Sequence, residues 1–110
     1  MNTNLQKEID TIVKAIADTG LVTKIILFGS LARGEETSGS DIDLCALTHI
    51  ADRRPLDITV ELRRKLYDIQ TMPLDILTYN QDQFAEHAGR ATSFEHHIEQ
   101  EGVVIYESTG

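Results

Sequence analysis

Asp41 and Asp43 stand at the head of Asp41-Ile42-Asp43-Leu44-Cys45-Ala46-Leu47, a run that opens with the polar and apolar alternation of a strand with one wet face. Residues two apart on a strand share a face, about 6.6 Å from one another. Two ionised carboxylates at that spacing repel by about 2.5 kcal/mol at an effective dielectric near 20, a cost that a divalent cation removes. Hard oxygen donors without a Cys or His at ligand spacing suit magnesium or manganese, which take one or two carboxylates and complete their shell with water and substrate phosphate. The pair therefore points to a metal-bound phosphate.

A phosphate needs a cradle rich in donors. Gly29-Ser30 directly follows the β-branched run Lys24-Ile25-Ile26-Leu27-Phe28, and offers a close-approaching backbone, a hydroxyl and, where Ser30 starts a helix, free N–H groups. Arg33 follows one turn later, so a hydroxyl and a guanidinium could meet the same triphosphate. A third carboxylate, Asp75, lies in Leu74-Asp75-Ile76-Leu77-Thr78, and faces the pair only in one strand register, because a slip of one residue turns it away. Three carboxylates with two metals form the scheme for in-line phosphoryl and nucleotidyl transfer.

The elements that must position these residues can be read from periodicity. Leu5, Ile9, Ile12, Val13 and Ile16 mark a first helix that ends near Gly20. Strands follow at 24–28 and 41–47, separated by a helical turn or two and a loop marked by Gly34 and Gly39. Pro55 opens a second helix through Ile58, Leu62, Leu66 and Ile69. A third strand spans 74–78, and Asn80 with Gln83 gives a helix start of the capping-box kind. Further helix runs through Phe84 and, after Gly89, through Phe94 and Ile98, until Gly102 stops it before a short strand Val103-Val104-Ile105-Tyr106.

The chain has 110 residues, which predicts one domain spanning 1–110 with a single thin core and a radius of gyration of roughly 13 Å. Eighteen acidic residues against ten basic ones give a formal charge of −8, so a nucleic-acid backbone is repelled and non-specific binding to it is disfavoured. Aromatics at 5% with no Trp do not make a stacking platform for bases. The lone Cys45 forms no internal disulfide, and no signal or spanning segment is evident; a soluble, cytoplasmic protein without membrane attachment is the simplest expectation.

Phe28-Gly29-Ser30-Leu31-Ala32-Arg33-Gly34-Glu35, followed by Ser40-Asp41-Ile42-Asp43-Leu44, resembles the signature Gly-Ser, ten residues, Asp-x-Asp of the nucleotidyltransferases in the DNA polymerase beta superfamily. The Ala-Arg-Gly and Ser-Asp-x-Asp-Leu context is most similar to the minimal nucleotidyltransferase (MNT) branch. The resemblance implies an α+β nucleotidyltransferase fold in two layers, with a mixed sheet of about four strands flanked by helices. It also implies ATP as substrate and two magnesium ions, or manganese. Asp41 and Asp43 would bind the metals, Gly29, Ser30 and Arg33 would hold the phosphates, and Asp75 would be the third carboxylate, able to receive the attacking hydroxyl's proton. The branch further implies an antitoxin that transfers AMP to a tyrosine of a HEPN-domain ribonuclease toxin, working in a homo- or hetero-oligomer. A degenerate antitoxin that masks its partner by contact alone is the competing expectation. Small-molecule or nucleic-acid acceptors fit the size and acidity less well.

Plainer readings compete at single positions. Arg33 can pair with Glu35 or Glu36 at the surface, a contact of little energetic value. Arg53, Arg54, Arg63, Arg64 and Lys65 carry half of the chain's cations and could meet a partner's acidic surface or the bound nucleotide; the favoured reading is a solvated helix face, on which Glu61 with Lys65 and Arg64 with Asp68 would make i, i+4 pairs. His96 and His97 point in different directions on a helix and share no metal. Cys45 reads as core.

Overall fold

A computed structural model describes residues 3–35 and 41–108. The expected loop at Gly39 and the Ser40 of the motif lie outside the described residues. The residues spaced at helical turns do form the first helix: α1 (Thr3–Asp18) buries Leu5, Ile9, Ile12 and Ile16. The chain leaves it through Gly20 at φ +72°, where a Cβ would be strained.

Four strands follow, β1 (Lys24–Phe28), β2 (Ile42–Thr48), β3 (Leu74–Asn80) and β4 (Val103–Glu107), hydrogen-bonded in the order β3-β2-β1-β4. β1 runs antiparallel to β2 and β4, whereas β2 and β3 are parallel, so the sheet is mixed. A parallel pair needs a crossover, and α2 (Pro55–Leu66) supplies it. The helix stops at Leu66 rather than reaching Ile69, which follows in a turn and still packs against the core. β3 runs two residues beyond its expected end, to Asn80. The side-chain oxygen of Asn80 accepts from the N–H groups of Asp82 and Gln83 and so caps α3 (Gln81–Ala88). Ser93 caps α4 (Phe94–Glu101) in the same way through the His96 N–H.

Alternation along the strands sends side chains to two cores. On one face Ile25, Leu27, Ile42, Leu44, Ala46, Leu74 and Ile76 meet α1 and α2, and on the other Ile26, Cys45 and Leu47 meet Phe84, Ala88 and Ile98 of α3 and α4. This is the expected α+β fold, a mixed four-stranded sheet flanked by helices, but with helices on both faces it makes three layers rather than the expected two; its radius of gyration is 13.5 Å. Covered on both sides, β2 is nearly continuously apolar after Asp43. Leu62 of α2 is fully buried against the sheet. Leu62→Ala should cost about 2–5 kcal/mol in urea unfolding, and a loss below about 1 kcal/mol would show that α2 contributes little to the core.

Candidate active site

β1 delivers Phe28 opposite Asp43 in the antiparallel register. The chain must then turn away from the sheet without striking that carboxylate, and Gly29 does so at φ +78°. A Cβ at this position would lie 2.3 Å from Asp43 Oδ2, so only glycine lets the backbone pass against the carboxylate. The next residues form a turn rather than a helix. Arg33 N–H donates to the Gly29 and Ser30 carbonyls at 3.3 and 3.2 Å, Glu35 N–H donates to Ser30 O at 2.9 Å, and Gly34 ends the turn at φ +77°. Buried Leu31 anchors it to the main core. Ser30 therefore starts a single turn, in line with the helical turn or two expected here, and no longer helix builds on it among the described residues.

Asp43 and Asp75 are direct register partners across the parallel β2–β3 pair. Their side chains leave the same face of neighbouring strands, whose spacing is about 4.8 Å. The register condition on Asp75 is thus met. Asp41 immediately precedes β2 on the same alternation. Burial holds the Asp43 carboxyl above the ordinary carboxylate value, the charges of Asp75 and Asp41 push it the same way, and Arg33 opposes them. Three charged groups and burial therefore act on one carboxylate. The helices of this face stop short of it: Cys45 and Leu47 lie under α3 and α4, whereas Asp41 and Asp75 are exposed.

Arg33 makes the surface pair with Glu35 at 3.3 Å and a second contact with Glu101 at the end of α4, also at 3.3 Å. His97 Nε2 lies 3.0 Å from the same Glu101 oxygen. Two carboxylates thus occupy a guanidinium that a phosphate would otherwise attract. Among the described residues no three His, Cys, Asp or Glu side chains form a ready-made metal cluster. The Cys45 thiol is pushed up to about 12 by burial, which makes it core and not a nucleophile. His96 Nδ1 faces the Ala88 carbonyl at 2.8 Å, separately from His97.

Arg63, which the sequence places on a solvated helix face, approaches the site. Arg63 reaches around the β3 edge, donates to the Leu74 carbonyl at 3.3 Å and lies 4.0 Å from the Asp75 carboxylate. Its neighbours also pair differently than expected: Glu61 meets Arg53 at 3.0 Å, and Asp57 takes both nitrogens of an Arg54 fork. A cavity of about 420 Å³ opens at the opposite end of the sheet, beside Thr23, Lys24, Gln81 and Glu107, and none of the three aspartates lines it.

Residues 7–104 match the family described as the nucleotidyltransferase domain. The chain belongs to that family. The nucleotidyltransferase match spans Gly29, Ser30, Arg33, Asp41, Asp43 and Asp75 together. A relative named "Putative protein adenylyltransferase MJ0604" from Methanocaldococcus jannaschii is 30% identical over 105 residues, 94% of this chain and 99% of its own. The crystal structure of "a putative nucleotidyltransferase" from Sulfolobus solfataricus shares the fold, with a TM-score of 0.61, 17% identity, and coverage of 92% of this chain and 78% of that one. A solved toxin-antitoxin with AMP-PNP is more distant, at TM-score 0.49 and 17% identity over 91% of this chain and 73% of that one.

Proposed function

We propose that this nucleotidyltransferase moves AMP from ATP to a hydroxyl of a partner protein, a tyrosine of a HEPN-domain toxin, and so acts as an antitoxin in the cytoplasm. The observation that carries the reading is the placement of Asp43 beside Asp75 with the Gly29 backbone pressed against it. The likeness to a relative named for protein adenylylation favours a protein acceptor. Among the described residues no helix is long and apolar enough to cross a membrane.

The donor types fit a hard divalent ion, because they are carboxylates alone and the charge of Asp43 is disfavoured by burial and by Asp75 and Asp41. Magnesium, two ions in the full arrangement and replaceable by manganese, would be held by Asp41, Asp43 and Asp75 and would neutralise charge building on the phosphates. Gly29 and Ser30 offer the triphosphate a close backbone and a hydroxyl. Arg33 exchanges its two carboxylate partners for phosphate oxygens. The acceptor hydroxyl oxygen bonds to the α-phosphorus, the bond to pyrophosphate breaks, and the hydroxyl proton passes to Asp75.

Calorimetry tests the first half of this reading: ATP with magnesium should bind the folded chain, and no binding at millimolar ATP would sink it. Ser30→Ala and Arg33→Ala should each weaken binding by about 1.5–3 kcal/mol if charge-assisted bonds are lost. Intact-mass analysis of a copurified toxin tests the second half. Adenylyl increments on a tyrosine support transfer, whereas full inhibition in a stable unmodified complex favours masking by contact alone.

A further inference from the structure

The outward face of α2 combines two properties that a merely solvated helix does not need. Leu56, Val60 and Tyr67 are 67%, 44% and 84% exposed. With Arg63 they fall at spacings of four, three and four residues, one continuous stripe opposite the buried Ile58, Leu62 and Leu66. Val60, Arg63, Arg64 and Tyr67 line a groove of about 440 Å³ on that stripe. The segment from Arg53 to Asp68 also reverses the sign of the molecule, with five cations against three acids in a chain of net charge −8. Two of those acids are already held, Asp57 by Arg54 and Glu61 by Arg53. Arg64 and Lys65 are exposed and have no ion-pair partner among the described residues.

The groove and the surroundings of the carboxylate site share one residue, Arg63, which reaches around the β3 edge. Arg63 forms part of the groove's wall, and the same guanidinium lies 4.0 Å from Asp75. We infer that this face docks the acceptor protein, through an acidic segment that places an apolar side chain in the groove between Val60 and Tyr67. Arg64 and Lys65 meet the carboxylates of that segment, and the geometry presents the acceptor hydroxyl at the β3 edge, beside Asp75. A protein is favoured over a nucleic acid because the rest of the surface repels a polyanion, whereas a short acidic segment contacts only this patch. The inference rests on the proposed protein acceptor.

The test uses the full chain and two labelled probes, followed by fluorescence anisotropy: a Glu- and Leu-rich amphipathic peptide containing one tyrosine, and a single-stranded RNA. The peptide should bind the wild-type chain and weaken with added salt, and Arg64→Glu or Tyr67→Ala should each reduce its affinity about tenfold. Both variants should bind ATP with magnesium as the wild type does, so a failure of nucleotide binding in all three would strike the catalytic reading and not the docking face. A Val60→Asp variant provides an independent check on the groove and should also weaken the peptide. Absence of peptide binding at millimolar concentration overturns the proposal. So does peptide affinity unchanged in all three variants, or RNA binding that exceeds peptide binding and is lost in Arg64→Glu.

Discussion

Asp43→Asn is expected to abolish nucleotidyl transfer and, in the absence of metal, to make the fold more stable. Both effects have one cause. Asp43 is the carboxylate on which burial and the charges of Asp75 and Asp41 converge, and each disfavours its ionised form. A carboxyl raised above its ordinary value of 3.8 keeps its proton in the native state at pH values where the unfolded chain has released it. Its stabilising contribution is therefore present below that value and is lost as pH rises through the native one. The Asn variant escapes the loss. Thermal melts without metal should show wild type falling relative to Asp43→Asn as pH climbs from about 4 toward neutrality, and magnesium should narrow the gap by stabilising only wild type. The same substitution removes ligand charge from the proposed metal site, an effect worth about 4 kcal/mol or on the order of 1,000-fold in transfer rate. Asp75→Asn should behave differently, binding ATP while losing on the order of 100-fold in single-turnover transfer, since its proposed role is realised in the transition state. Near wild-type transfer by Asp43→Asn would remove the site; near wild-type transfer by Asp75→Asn would leave two working carboxylates.

Gly29→Ala should be the most damaging uncharged substitution in the chain. The backbone at φ +78° costs an L-residue about 1–2 kcal/mol, and the added methyl would sit 2.3 Å from Asp43 Oδ2. The carboxylate cannot stay where it is. A displacement of about 1 Å at a reacting centre costs on the order of 100-fold in rate, so transfer should fall at least that far. Gly34 has nearly the same φ, +77°, but open space around its missing Cβ. Gly34→Ala is thus the control: it should lose similar stability in urea and keep most of its activity. Equal activity in the two variants would show that the approach to Asp43 has no catalytic weight.

How much of this was legible in the sequence depended on sequence distance. The helical faces of α1 and α2, the strand before Gly29 and the joint spacing of Gly29-Ser30 with Asp41 and Asp43 are local, and periodicity reports them well. Asp75 could be placed on a strand, but its partner could not, because the crossover through α2 sets the β2–β3 register and no local pattern encodes it. Arg33 was visible as a cation near the motif, whereas its contact with Glu101, 68 residues away, depends on how α4 lies over the sheet. That placement rests on Gly102, where a Cβ would strike Ile26 Cγ2 and the Ile98 carbonyl. Arg63 looked solvated because its helix has an exposed face; only the edge position of β3 brings its guanidinium to Asp75.

The parallel pairing also sets an order of events during folding. Every β2 residue from Ile42 to Thr48 pairs with the one 32 positions later, so this ladder must close a long loop before it gains any hydrogen bond. The β1–β2 contact forms between nearer segments. Non-local parallel strands are slow to join, and a chain emerging from the ribosome has Asp41 and Asp43 long before it has Asp75. The pairing of Asp43 with Asp75 is consequently a late product of folding. A newly made molecule would complete the proposed nucleotide site only after α2 has docked and β3 has been laid beside β2, which ties the proposed chemistry to completion of the sheet.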